Sequence, residues 1–305
     1  MQHSRDMFRR ILLVMLYLAA AVAPAPAQTV RGAERVEFDS LDRNGDRPVR
    51  LFGWFFPAQE KGLGKAPTVV ALHGCGGLYE RGKDLNARHR AMAELLQQQG
   101  YHVLFPDSFT PRGKNSICSE KIGARDLTSA NRRRDVLGAL IWITQRSDAD
   151  AGRIALLGWS HGGSTVLSAN NRQLREVAAH EVKPGAAIAF YPGCNSYLNA
   201  REGFRPQAPL LLLVGEKDDW TPAKPCVALR EKVHAQFPDD VFELRVYSDS
   251  HHDFDYPNTP LRVLKDVPNG VHPGQGVTIG TNPAARKAAY AEVVEFLRQR
   301  IGKPN

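Results

Sequence analysis

Long apolar runs, metal-binding spacings and concentrated charge are all scarce in this 305-residue chain. The one extended apolar stretch, Ile11 to Ala23, ends at Pro24 and Pro26 and falls short of the ~20 residues that a membrane-spanning helix requires. No His-x-x-x-His or Cys-x-x-Cys spacing occurs, so neither a metal nor an organic cofactor is expected. There is no internal repeat and no low-complexity tract. The formal charge of +8 is modest for this length, and its densest basic run, Arg132-Arg-Arg134, lies in a predicted helix without interleaved aromatics. That pattern predicts a solvated helix face and argues against a nucleic-acid platform.

With 43% apolar and 24% charged residues, the chain can bury one full core, which makes a single domain the expectation. The first 27 residues are set apart from it. Arg5, Arg9 and Arg10 precede the short apolar stretch, and Ala25-Pro-Ala27 supplies small residues for cleavage before Gln28. This reads as a secretory signal peptide over 1–27, followed by one domain over 28–305 that is exported to the periplasm or medium and makes no stable membrane insertion. Removing three arginines and Asp6 lowers the formal charge by two.

Only four cysteines are present, and an oxidising compartment would let them pair in three possible ways. Cys75 follows one predicted strand and Cys118 lies in the loop after its neighbour; Cys194 follows a later strand and Cys226 opens the helix after the next. The expected pairs are Cys75–Cys118 and Cys194–Cys226, which would leave no thiol free as a nucleophile.

Strands are predicted near Arg35–Asp39 and Val49–Phe56. Continuous apolar runs then appear at Thr68–His73, Tyr101–Pro106, Ile154–Gly158, Ala186–Tyr191, Leu210–Val214 and Phe242–Tyr247. Helical patterns near 86–99, 124–145, 162–170, 223–236 and 284–300 separate them. Such alternation belongs to parallel strands covered on both faces, hence a doubly wound α/β sheet with ligands at the carboxyl ends of its strands.

Ser160 sits there, in Gly158-Trp-Ser-His-Gly162, directly after a predicted strand and before a predicted helix. The flanking glycines leave room for a turn tight enough to display the serine, and the following helix aims its N-terminus at developing negative charge. A serine nucleophile needs a histidine base and a group that holds the base in one tautomer. Carboxylates follow the next-but-one strand at Asp218-Asp219, and histidines follow the last strand at His251-His252. Ser, then Asp, then His is the order of the α/β-hydrolase triad.

The turn His73-Gly-Cys-Gly-Gly77, the stretch Pro106-Asp-Ser-Phe-Thr-Pro-Arg-Gly113, the elbow at Ser160, Gly215-Glu-Lys-Asp218 with Pro222, and His252-Asp-Phe254 together resemble the dienelactone hydrolase family of α/β hydrolases, over nearly all of the mature chain. The resemblance implies Asp218 rather than Asp219 as the acid, because proline follows it by four. It likewise implies His252 rather than His251 as the base, because phenylalanine follows it by two. Asp219 and His251 then read as loop-capping or solvent-facing residues. The oxyanion hole would take one backbone N–H from His161 and, by the resemblance, a second from Cys75. Dienelactone hydrolase itself carries cysteine where Ser160 stands, so fold and reaction type carry over but the substrate does not.

The expected activity is therefore hydrolysis of small or medium carboxylic esters through an acyl-enzyme. A serine peptidase or acyltransferase on the same scaffold and a non-catalytic envelope binding protein are the alternatives. The short span from Pro192 to Pro209 leaves no room for a lid or cap domain, and the Pro/Gly-rich insertion from Asp255 to Asn282 is expected to wall one side of the pocket. Arg112 is either a carboxylate-binding charge or part of a structural salt bridge.

Overall fold

The computed structural model describes residues 30–59, 64–80 and 84–302; the expected signal peptide lies outside them. Eight strands form one sheet: β1 (Glu34–Asn44), β2 (Arg47–Phe56), β3 (Ala66–Leu72), β4 (His102–Asp107), β5 (Ala149–Trp159), β6 (Ala186–Phe190), β7 (Leu210–Gly215) and β8 (Phe242–Tyr247). Their spatial order is β1-β2-β4-β3-β5-β6-β7-β8. β1 and β2 pair antiparallel, as do β2 and β4, and every later pairing is parallel.

The main helices are α1 (Ala87–Gln98), α2 (Ser129–Thr144), α3 (His161–Ala169), α4 (Arg175–Ala179), α5 (Asn195–Leu198), α6 (Ala223–Gln236) and α7 (Pro283–Ile301). Side chains of the central strands alternate between two cores. Val69, Ala71, Ala155, Leu157, Ile188 and Leu211 pack with α1 and α7. Val70, Leu72, Leu156, Ala187, Leu210 and Leu212 pack with α2, α3 and α6. Both faces are buried, which is why these strands read as unbroken apolar runs rather than alternating ones.

α2 begins later than its apolar pattern predicts. Residues Ile122–Ala124 form a separate 3-10 turn, and a capping box between Thr128 and Asn131 sets the start of the α-helix at Ser129. The basic run also departs from expectation: Arg132 is fully buried and Arg133 nearly so, while Arg134 is more open and reaches Glu176 and Asp42. Packing of α2 against both β1 and α3 covers more than one side of the helix, and two of the three arginines fall on the covered sides.

The insertion after β8 forms a small hairpin, β9 (Arg262–Leu264) with β10 (Val277–Ile279). Between Pro192 and Pro209 the chain holds only the single turn α5, with no cap. Among the described residues no helix is long and apolar enough to cross a membrane.

Candidate active site

Ser160 occupies the turn between β5 and α3 at φ 52° and ψ −115°, a backbone strain of about 1–3 kcal/mol for a non-glycine residue. Packing enforces it. A Cβ on Gly158 would stand 2.5 Å from the Gly162 carbonyl oxygen, and one on Gly162 would stand 2.1 Å from that of Leu72. The strand, turn and helix can close this tightly only with glycine at both positions. His161 is the first residue of α3, so its N–H has no acceptor within the helix. Gly74 packs on the elbow, with room for no more than van der Waals contact between a Cβ there and Ser160 Cβ at 3.7 Å. The His73–Gly77 turn is thereby held beside the serine.

Asp218 and His252 meet at the ends of β7 and β8. Asp218 Oδ1 accepts the Trp220 and Thr221 N–H groups, each at 2.8 Å, which orients the carboxylate and leaves Oδ2 to accept from His252 Nδ1 at 2.8 Å. Thr221 Oγ1 lies 3.0 Å from Asp218 Oδ2 and 3.1 Å from His252 Nδ1. Because a carboxylate only accepts, Nδ1 carries the proton and Nε2 is the basic nitrogen of the neutral ring. Burial pushes the His252 pKa down, but the charge and hydrogen bond of Asp218 outweigh it and leave the imidazole above its ordinary 6.5. Rings of Tyr191 and Trp220 flank it, with centroids 4.5 and 4.6 Å away.

Ser160, His161, Cys75, Trp220 and Thr221 line one cleft of about 500 Å³. Since Thr221 touches both Asp218 and His252, that pair stands against the wall of the cleft that holds Ser160. The insertion supplies Asn269 and Gly270 to the same cleft, as its composition predicts. Asp219 fastens it: its carboxylate accepts from Thr278 N and Thr278 Oγ1, and its carbonyl from Val271 N. Asp219 is thus a loop-capping residue. Among the described residues no group of three His, Cys, Asp or Glu side chains could hold a metal ion.

The four cysteines pair as expected, Cys75 with Cys118 and Cys194 with Cys226. The first bridge packs with Phe109, Ile117 and Leu127 beneath the His73–Gly77 turn. Arg112 is a structural cation: its guanidinium donates to Asp42 at 2.9 Å and twice to Asp135, at 2.7 and 3.0 Å.

Sequence reasoning missed a buried polar network behind Ser160 and His252. Arg88, in the first turn of α1, donates to the Tyr191 hydroxyl and to Asp253, both at 2.6 Å. The Tyr191 hydroxyl and the Trp159 indole N–H donate to Asp255 at 2.5 and 2.8 Å. Burial raises the Asp255 carboxyl, only partly countered by Arg88, whereas burial of the more open Asp253 is outweighed by Arg88 and His252, which carry it below the usual range. The alternating acids in His252-Asp-Phe-Asp255 were a legible hint; nothing marked Arg88, which belongs to an ordinary helical stretch. Ser160, Tyr191 and Asp253 are three of the five non-glycine residues with positive φ among the described ones, so the backbone strain gathers here.

The strand order, the turn geometry and the helices on both faces define an α/β-hydrolase fold. Solved structures of low identity share it. A putative dienelactone hydrolase from Klebsiella pneumoniae aligns with a TM-score of 0.61 at 17% identity, covering 88% of this chain and 99% of the other. Thermogutta terrifontis esterase 2, in a form phosphorylated by paraoxon, aligns at 0.59 and 17%, covering 91% and 97%. Pyrococcus horikoshii acylaminoacyl peptidase also gives 0.59 and 17%, over 90% of this chain and 42% of the peptidase.

The model of the dienelactone hydrolase family matches residues 55–301, and the chain belongs to that family. The putative hydrolase YtaP of Bacillus subtilis is 30% identical over 46% of this chain and 51% of its own length, and YfhR of Escherichia coli K12 is 26% identical over 62% and 64%. The chain thus spans between half and two thirds of the curated relatives it matches.

Proposed function

We propose that the protein is an exported serine hydrolase that cleaves carboxylic esters of small or medium size. The observation that carries this reading is the 2.8 Å contact between Asp218 and His252 Nδ1, against the same cleft that displays Ser160 on a strained elbow. In this mechanism His252 Nε2 takes the Ser160 proton as Oγ attacks the ester carbonyl. The backbone N–H groups of His161 and Cys75 receive the oxyanion. The resulting imidazolium protonates the departing alkoxide, leaving an acyl-serine. Water, deprotonated by His252, then releases the acid and restores the serine. Asp218 orients the ring and stabilises its charged form. The cysteine bridges and the leader-like first 27 residues support export. The absence of a cap beside α5, with the insertion as one wall, suits an open cleft.

A fluorophosphonate that labels wild-type protein at Ser160, but not Ser160→Ala, is the expected result. Wild-type protein that stays unlabelled and inert towards p-nitrophenyl esters would instead mark a binding module. Matched ester and amide panels separate esterase from peptidase, with turnover of amides alone counting against ester specificity. An alcohol acceptor that captures most of the acyl group in place of water would indicate an acyltransferase.

A further inference from the structure

Arg132 is a cation with no exposed surface. Burying a guanidinium is costly unless it is well paired, and ionisable groups strongly perturbed by burial cluster at functional sites. Burial, with Arg112, lowers its pKa to about 9, so it stays charged at neutral pH, and the charges of Asp135 and Asp107 oppose that without a hydrogen bond. Asp135 is already engaged by Arg112 and Ser40. The Arg132 Nε has no partner among the described residues, and its guanidinium carbon lies 5.2 Å from the Phe109 ring centroid.

Its two hydrogen bonds are informative. Nη2 donates to the His73 carbonyl at 2.7 Å, and Nη1 donates to His161 Nδ1 at 2.8 Å. The first acceptor begins the turn that carries the Cys75 N–H; the second belongs to the residue whose N–H heads α3. An arginine can only donate, so His161 Nδ1 accepts and its ring is the neutral Nε2–H tautomer. Burial, reinforced by Arg132, holds that imidazole well below its ordinary pKa, in keeping with this assignment.

We infer that Arg132 is a positioning residue of the oxyanion hole: one guanidinium clamps the two segments that supply the Cys75 and His161 N–H groups, and sets a fixed positive charge behind both. The inference rests on the proposed chemistry at Ser160. Donors held at the correct spacing before charge develops favour the transition state over the bound ester, so loss of the clamp lowers kcat and leaves KM nearly unchanged. Methionine keeps much of the stem and removes fork and charge, whereas lysine keeps the charge without the fork.

The test compares wild type, Arg132→Met and Arg132→Lys with a p-nitrophenyl ester, counting active sites with a fluorophosphonate so that kcat refers to folded enzyme. Arg132→Met is expected to lose about 10²-fold in kcat, with phosphonylation slowed in parallel, because one disturbed oxyanion donor costs about 10²–10³-fold. Arg132→Lys should recover part of both. If Arg132→Met does not fold, His161→Phe removes one acceptor of the clamp and should lower kcat, with His161→Asn recovering part of it. A lower melting temperature or site count with kcat per site unchanged would make Arg132 merely structural and overturn the inference. A rise in KM at constant kcat would overturn it too. Failure of wild-type protein to label at Ser160 removes the parent reading, and this one with it; normal wild-type labelling with equally fast Arg132→Met labelling removes this one alone.

Discussion

Replacing Cys75 and Cys118 together by alanine tests whether the bridge beneath the His73–Gly77 turn stabilises both fold and site. The two residues are separated by 43 in sequence and 4.9 Å in Cα distance. For a closed loop of that length, the chain-entropy relation removes about 13 cal/mol/K from the unfolded ensemble, or about 4 kcal/mol at 25 °C. A typical domain is stable by only 5–15 kcal/mol, so the loss is large. Urea unfolding followed by fluorescence should register it as a lower unfolding free energy, with a steeper m-value because the unfolded chain is no longer cross-linked. Activity should fall less steeply than stability. The Cys75 carbonyl still accepts from Ile117 N at 2.9 Å and from Ser116 Oγ at 3.2 Å, so the turn keeps part of its support. A drop in kcat of about 10-fold per titrated site is expected, below the 10²-fold that a 1 Å displacement of a reacting group can cost. The equivalent Cys194, Cys226 pair, separated by 32, should lose comparable stability with the smaller change in kcat, because neither residue carries a proposed oxyanion donor. An unchanged unfolding free energy in the first double variant would refute the reasoning, as would four free thiols in protein isolated from its own cells without reductant.

The remaining predictions concern base, elbow and charge. His252 must be neutral to take a proton and its pKa lies above 6.5, so kcat/KM should fall as pH drops through that raised value, with its half-point above 6.5. Under the proposed mechanism, Asp218→Asn removes the charge that raises it, moving the limb to lower pH and lowering kcat by about 10⁴-fold, as the same change does in Ser-His-Asp enzymes; a wild-type half-point below 6.5 in a pH–rate profile would contradict the proposal. Gly162→Ala should abolish fluorophosphonate labelling and lower the melting temperature, since its Cβ would fall 2.1 Å from the Leu72 carbonyl oxygen, whereas Gly123→Ala, with open space around it, should stay within about 0.5 kcal/mol of wild type. Arg112→Met leaves Asp135 with Ser40 and Asp42 with Arg134 and Asn131, and should cost about 3 kcal/mol in urea unfolding, the low end for a broken buried pair, with kcat/KM per folded molecule preserved; a selective rise in KM for anionic esters would restore a substrate-binding role to Arg112.

Strongly patterned signals in the sequence were sufficient for the parallel sheet, for the order of the cysteine pairs and for bringing carboxylates at 218–219 near histidines at 251–252, while the choice of Asp218 and His252 within those pairs came from the family resemblance. Strands covered on both faces must be apolar throughout, the elbow cannot close without Gly158 and Gly162, and residues at the carboxyl ends of adjacent strands share one edge. The insertion announced itself by its length and its prolines and glycines. Only the tertiary structure decided which charges are buried and with whom. The run of three arginines read as a solvated helix face, and nothing in its pattern says that Arg132 turns inward to meet the carbonyl of His73 and the ring of His161. The same holds for Arg112, which meets a carboxylate 70 residues away, and for Arg88, which meets one 165 residues away. Long polar side chains find their partners across the fold, and the energy of those contacts depends on distances and burial that exist only once the chain has packed.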